Sequence, residues 1–285
     1  VIVRQSCKPA EQNLEHALLV ERHHAEWFLA ERVVPGAEIH RDRDVTWVVH
    51  SGQAWRNAGI MVRFTASSAA RRLDALVARY KRHGRGMALW VSPSATPGNL
   101  TELLQARRMR CQKYYPAMVR TLRPGAPSRS TPSGLVIRRV GDVAEYEKAP
   151  YPAIGPITTP LRRVAFERLR ALLTERSGRT RAFVAWLKDG LKDEPVGAIE
   201  MFHGSETAGI HGLSVLDRYQ GRGIGSALIE QGCRDAAESG ATEMVLLATS
   251  EGQRLYERRG FTEVARFGYW YRSFQRGAGK KGRER

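Results

Sequence analysis

A chain of 285 residues, 42% apolar and 26% charged, is long enough for two compact domains, and its composition excludes a disordered polymer. No run approaches the ~18 consecutive apolar residues that a membrane-crossing helix needs, and three scattered cysteines, Cys7, Cys111 and Cys233, exclude a disulfide framework or a cysteine zinc site. The formal net charge of +17 favours anionic partners, yet the basic residues are spread along the chain, with one dense run in GKKGRER at 279–285.

The opening VIVRQSCKPAEQ has no apolar core or cleavage site of a signal peptide, so a reducing cytoplasm is the expected location. In chain order, the apolar spacing of Leu14, Ala17, Leu18, Trp27, Phe28 and Ala30 predicts a helix over 13–33. Within it, His23 and His24 have no third ligand at a sensible spacing and read as surface histidines rather than a metal site. VTWVVH (45–50) and IMVRFT (60–65) read as strands, 68–83 as a helix, and MALWVS (87–92) as a strand. Asn99 is placed to cap a helix over NLTELLQARRM, and KYYPAMVRTL closes the first half as a strand. The segment LRPGAPSRSTPSG at 122–134 carries three prolines, two glycines and three serines with almost nothing apolar, and 123–133 read as a linker.

The same grammar returns downstream. LVIRRV (135–140) is a strand, and the proline-laced loop APYPAIGPITTP leads into a helix over 161–175. RAFVAWL (181–187), VGAIEMF (196–202) and IHGLSVL (210–216) are strands, the first two joined as a hairpin. A glycine turn, a helix over 225–239, the strand EMVLLAT (243–249), a short helix over 252–259 and the strand FTEVARFGYWYR complete the chain. Strands and helices mixed in this order predict an α+β fold with a mixed sheet.

The turn carries the chemistry. After the strand ending at Leu216 the chain reads DRYQGRGIGSALIEQGCRDAAESG. A strand, a glycine turn and a helix start form an anion cradle, because the first-turn N–H groups and the positive end of the helix dipole face the ligand. Gly221, Gly223 and Gly225 let the backbone approach phosphate oxygens with no Cβ in the way. The helix behind it aligns Leu228, Gly232 and Ala236, with Ile229, Cys233 and Ala237 beside them, so Cys233 reads as a small core residue rather than a nucleophile. A dinucleotide-binding unit requires GxGxxG and an acid ending the next strand; here Ser226 stands at the third glycine and EMVLLATS ends without an acid. No GK[ST] follows, which excludes a Walker loop.

Gln220-Gly221-Arg222-Gly223-Ile224-Gly225 resembles the [RQ]xxGx[GA] signature of the GNAT acyltransferase superfamily, and LYERRGF at 255–261 is similar to that family's second signature. The resemblance covers 134–275 and implies acetyl-CoA as co-substrate, with no metal. By this resemblance Leu213, Ser214 and Val215 offer a strand edge to pantetheine, and the Val215 N–H is an oxyanion donor. Gln220, Gly221, Arg222, Gly223, Ile224, Gly225 and Ser226 hold the pyrophosphate. Tyr256 is the general acid for the leaving thiolate. Ser250 stands where the family often has a coenzyme-touching asparagine, and Gln253 where a small residue is usual. Some members have a glutamate base on the fourth strand, at a position corresponding to about Gly209. Here His211, two residues on and on the same face, and Glu200 on the neighbouring strand are the candidates, with ordered water the alternative. Tyr151 stands where the family places its acceptor-lining loop.

The elements of 45–122 copy the closing elements of the second half, so residues 1–122 resemble a degenerate GNAT-like domain. FTASSAARRL stands where the glycine turn should open its helix, and Leu104 where the tyrosine should be. The expectation is therefore two GNAT-like mixed-sheet domains in tandem, helices on both sheet faces: 1–122, a linker 123–133, a catalytic domain 134–275 and a basic tail 276–285. The implied activity is N-acetylation of a primary amine, on a small molecule or peptide, by direct attack. The alternative is a catalytically inactive acyl-CoA-binding or nucleic-acid-associated protein using its basic surface, although no RNP-type, zinc-finger or helix-turn-helix pattern is present.

Overall fold

The computed structural model describes residues 14–50, 57–84, 86–123, 131–141, 144, 160–189 and 192–274. Tyr151, Cys7 and the basic tail lie outside them. The first half comprises α1 (Leu14–Ala30), a 3-10 turn (Glu31–Val33), β1 (Ala37–Arg41), β2 (Thr46–His50), β3 (Ala58–Ile60), α2 (Ala69–Arg82), β4 (Met87–Val91), α3 (Leu100–Ala106) and β5 (Arg110–Thr121). The second comprises β6 (Leu135–Arg139), α4 (Pro160–Leu173), β7 (Thr180–Asp189), β8 (Lys192–His203), β9 (Ala208–Val215), a 3-10 turn (Asp217–Tyr219), α5 (Ile224–Glu238), β10 (Glu243–Leu247), α6 (Ser250–Glu257) and β11 (Thr262–Arg272).

All eleven strands form one sheet, ordered β1-β2-β3-β4-β11-β5-β10-β9-β8-β7-β6. Only β3–β4 and β9–β10 are parallel, each paired at just two positions: Ala58 and Gly59 with Ala88 and Leu89, and Ala208 and Gly209 with Met244 and Val245. Beyond those positions each parallel pair splays. The last strand of each half crosses over: β5 pairs with β10, and β11 pairs with β4. The two then pair antiparallel with each other at the centre, Thr262 opposite Val119 and Tyr271 opposite Arg110. The halves therefore repeat one plan, and each completes its sheet with the other's closing strand.

Period-two alternation sorts the side chains to two faces. On one face α5 packs Leu228, Ile229, Cys233 and Ala236 against Ile199, Met201, Met244 and Leu246, while α2 and α3 build the corresponding core of the first half around Leu73, Leu76, Leu89 and Leu104. On the other face α1 lies across the centre of the sheet, burying Ala17 and Val20 with Ala117, Val245 and Phe267, and Ala25 and Phe28 with Val48 and Ala88. Helix α4 covers Ala182, Val184 and Ala198 on that same face. Cys233 is 4% exposed and burial pushes its thiol up to about 12, as befits a packed core residue.

Three details differ from the sequence reading. The strand read at 60–65 is instead β3 at Ala58–Ile60, and of 61–65 only Arg63 forms an isolated bridge, to Thr96. β1 has no predicted counterpart; its residues are only half-buried at the sheet's outer edge, so they lack the apolar alternation that marks a strand. Asn99 does precede α3, but its side chain makes no capping hydrogen bond. The carbonyl of Asn99 instead accepts from Glu102 and Leu103.

Candidate active site

The glycine turn sits at the mouth of the β9–β10 splay. Gly221 (φ +75°) and Gly223 (φ +81°) occupy the left-handed region, which any side chain would strain. Gly223 is the N-cap of α5 and brings no side-chain cap, so the helix's first-turn N–H groups are left for a ligand. A Cβ on Gly221 would meet nothing within 4 Å, so the cradle opens outward there. Ile224 turns its side chain into the core and can offer only its N–H. The Gln220 amide donates to the Val215 carbonyl (3.3 Å) and Asp217 (3.0 Å), tying the turn to the end of β9. Arg222 and Arg218 each lie 5.1 Å from the Tyr219 ring centre.

Along β9, Leu216 N–H bonds back to Val196 on the β8 side. By alternation the N–H groups of Leu213 and Val215 face the other way, into the splay, while both side chains pack toward α5. Ser214 stands opposite Ala198. The ladder to β8 slips between Glu200/Gly212 and Met201/Ile210, so His211 is the extra residue of a β-bulge. The bulge keeps Gly209 and His211 on the α1 face while Leu213 and Val215 turn to the α5 face.

Tyr256 lies on the α5 face, in the core cluster with Ile210, Leu246 and Ala248, its ring edge-on to Phe261. Burial pushes its phenol well above the ordinary range, so it carries a proton at any physiological pH. Thr249, which the sequence reading passed over, caps α6 by accepting from Gly252 N–H at 3.1 Å. Ser250 opens that helix on the exposed side, and the Gln253 amide is engaged by Glu257 and Glu263.

On the opposite face the structure corrects the sequence reading most. His23 and His24 are not surface residues; they are 1% and 6% exposed, pressed by α1 onto β9. His23 Nε2 lies 3.0 Å from His211 Nε2, and His23 Nδ1 lies 2.8 Å from Thr207 Oγ1. Trp27 stacks on the His211 ring at 4.0 Å. Burial first, then the neighbouring His24, Arg179 and His203, hold His23 well below the imidazole range; burial holds His24 at about 4. Glu200 is 2% exposed and accepts from Arg168 (3.1 Å), which also donates to Glu31 (2.5 Å) and lies over Trp27. His23 and Trp27 of α1 and Glu31 just after it recur every four residues. That spacing of a histidine, a tryptophan and a glutamate is the signal by which the sequence could have disclosed them.

A cleft of about 430 Å³ opens between α1 and the β7–β8 edge, lined by Arg22, Glu26, Arg41, Leu172, Arg179 and Phe202 among others. None of the residues predicted from the sequence lines it. It meets the histidine cluster through Phe202, whose ring is 5.6 Å from His23 and 6.3 Å from His211.

Among the described residues the first half shows no equivalent cradle. Where β3 should leave a free edge, Thr96 N–H bonds to the Val62 carbonyl (3.1 Å) and Thr96 Oγ1 to that of Phe64 (2.9 Å). Arg63 and Thr96 form a bridge across the same gap. Buried Glu21 anchors this suture through Arg63, Ser92 (2.7 Å) and Ser94 (2.8 Å). At the start of α2, Thr65 and Ser68 bond to each other, and Leu104 is fully buried. Among the described residues no cluster of His, Cys, Asp and Glu could hold a metal ion, and no helix is long and apolar enough to cross a membrane.

Residues 142–261 match the model of the Acetyltransferase (GNAT) family. No curated protein matches the chain. Among solved structures the fold is similar to a GCN5-related N-acetyltransferase from Kribbella flavida, at 16% identity and a TM-score of 0.63, covering 87% of this chain and 94% of that one. It is also similar to a tandem GNAT protein from the clavulanic acid biosynthesis pathway (15% identity, TM-score 0.59, 93% and 97% covered). A GCN5-related N-acetyltransferase from Sphaerobacter thermophilus aligns at 18% identity and a TM-score of 0.57, over 85% and 77%.

Proposed function

Residues 142–261 match the Acetyltransferase (GNAT) family and the described residues share the fold of a tandem GNAT protein; on that premise we propose that the chain transfers an acetyl group from acetyl-CoA to a primary amine by direct attack. The observation that carries this reading is the pair of left-handed glycines, Gly221 and Gly223, at the uncapped start of α5 beyond the end of β9. Tyr256 packs on the α5 face of the sheet, and His211 lies on the α1 face against His23.

The cradle fits the coenzyme: two left-handed glycines, an outward-opening turn and an uncapped helix N-terminus suit a pyrophosphate. Gly221 to Ser226 would hold it through backbone N–H groups, with Arg222 beside it. The inward-facing N–H groups of Leu213 and Val215 would pair with the pantetheine arm, the Val215 N–H serving as a preorganised donor to a developing oxyanion. Acetyl-CoA supplies the acetyl group, its carbon–sulfur bond breaking as the acceptor's nitrogen–carbon bond forms. Tyr256 gives its proton to the leaving sulfur, and burial ensures that the proton is there to give. His211 takes a proton from the acceptor's nitrogen. Glu200, committed to Arg168, holds the first-half helix in place rather than competing for that proton. The acceptor enters from the α1 face and is a small molecule or a peptide amine.

Calorimetry with acetyl-CoA tests the reading directly. Binding on the order of micromolar (~8 kcal/mol) is expected for the wild type, and its loss in Gly223→Trp, whose side chain fills the cradle. A wild type that does not bind acetyl-CoA refutes it. An amine screen with Tyr256→Phe as control then identifies the acceptor.

A further inference from the structure

The cleft beside α1 is walled by both halves of the chain. The first half contributes α1 from Arg22 to Ala30, the 3-10 turn that follows, Arg41 at the end of β1 and Met61 just after β3. The second contributes Leu172 of α4, the turn before β7, Phe202 of β8 and Ser205. Its volume of about 430 Å³ is that of a small-molecule site rather than a packing gap. It is remote from the glycine turn. The cleft adjoins the beginning of β9 and the turn lies beyond its end, and the eight residues Ala208–Val215 between them span roughly 25 Å. The two also lie on opposite faces of the sheet, the cleft with α1 and α4 and the turn with α5.

Charge in the cleft is not balanced. Arg22 is paired with Glu206 (2.9 Å) and Arg179 with Glu26. Glu175, the other carboxylate of the lining, accepts from the Ser177 N–H (3.1 Å) in its own turn. Arg32 and Arg41 are exposed and have no carboxylate partner among the described residues. A guanidinium is a planar fork that matches the oxygen pair of a carboxylate or phosphate. The net charge of +17 draws anions toward both. The lining also carries apolar surface that the fold leaves uncovered: Leu29, Val33 and Met61 are each only half-buried. Met61 takes its place there through a left-handed backbone (φ +57°), a conformation that side chains disfavour and that gathers at ligand sites.

We propose that this cleft is a second binding site, for a small organic anion whose acid head is held by Arg32 and Arg41 and whose compact apolar body lies against Leu29, Val33 and Met61. The inference goes beyond the acyl-transfer reading and does not depend on it. Because the walls come from both halves, the bound anion ties the first half to the second and raises the melting temperature. The cleft also abuts the histidine cluster: Arg179 lies 4.7 Å over the Phe202 ring, whose edge contact with His23 is 5.6 Å between ring centres.

Calorimetry on the full chain with phenyl phosphate and phenylacetate, which share an apolar ring and differ in the acid head, tests the proposal. At least one should bind the wild type with a Kd below about 1 mM, and the tighter of the two identifies the head group. The double variant Arg32→Ser, Arg41→Ser should bind it about tenfold more weakly or worse. Both side chains are exposed, so a cooperative melt near the wild-type midpoint is expected of that variant. Gly223→Trp, which fills the glycine turn, should bind the probe as the wild type does. The methyl NMR signal of Met61, assigned through Met61→Leu, should move as the site fills. No binding of either probe to the wild type at about 10 mM overturns the proposal. So does equal affinity in the wild type and the folded double variant. Loss of binding in Gly223→Trp would place the probe in the glycine turn and overturn it too. Saturation that leaves the Met61 methyl unmoved decides against the cleft even if the double variant does not fold.

Discussion

Burial sets the protonation states of Tyr256 and His24. Because the Tyr256 phenol is raised by desolvation, it stays protonated as pH rises, and the alkaline limb of the rate profile should show no loss of an acid below about pH 10. Removing the hydroxyl alone, in Tyr256→Phe, should lower kcat by about 100-fold while leaving acetyl-CoA affinity near the wild-type value, because the ring still fills its place beside Phe261. Steady-state kinetics and calorimetry on the same preparation check both halves of that expectation. His24 gives a second prediction at this scale. Its folded value of about 4 lies below the ordinary 6.5, so the unfolded chain binds the proton more readily between those limits. Stability is therefore full above pH 6.5 and falls as pH drops toward 4, by about 3 kcal/mol from this residue. Denaturant melts across that range should show the loss, and His24→Leu should reduce it.

At the scale of elements, the junction of α1 with α4 and β8 depends on a charged group with almost no access to water. Arg168 is 1% exposed and bridges Glu31, just after α1, to Glu200 on β8, with Trp27 over its guanidinium. Replacing it with methionine leaves two carboxylates buried without their counter-charge, a loss of about 3–5 kcal/mol. Adding Glu31→Gln and Glu200→Gln should recover much of that, because the desolvated charges leave together. A triple variant no more stable than Arg168→Met would contradict the account. Helix α5 shows the same dependence on close approach. A Cβ on Gly232 would come within 2.6 Å of the Met201 sulfur, so Gly232→Val should cost about 1–3 kcal/mol, read as a lower midpoint of urea unfolding.

For the whole molecule, the exchange of closing strands makes the halves interdependent. Without residues 1–133 the second half loses β5, leaving the edges of β10 and β11 unpaired, and loses α1 from the face that carries His211. Unpaired edges of that kind invite association. Residues 134–275 expressed alone should accordingly aggregate or melt without cooperativity, and co-expression with 1–133 should restore a soluble complex. A monomeric, cooperatively melting 134–275 fragment would show that the exchange is dispensable.

The sequence by itself determined most of the order of elements, the mixed sheet and the glycine turn before α5, because these are local. Periodicity, glycine chemistry and the QGRGIG and LYERRGF patterns act over a few residues and survive in one dimension. The glycine turn before α5, and the places of Tyr256 on α6 and His211 on β9, were legible for that reason. What only the tertiary structure decided is who stands beside them. His23 lies 188 positions from His211, and Arg168 lies 137 from Glu31, so no local pattern links them. The two histidines read as surface because histidine is amphiphilic and their burial is decided by β9, an element far along the chain. The crossing of β5 and β11 is equally invisible in one dimension, since a strand's own residues specify its faces but not its neighbours. Edge pairing is a backbone interaction available to any strand, and only the packing of the complete sheet selects the partner.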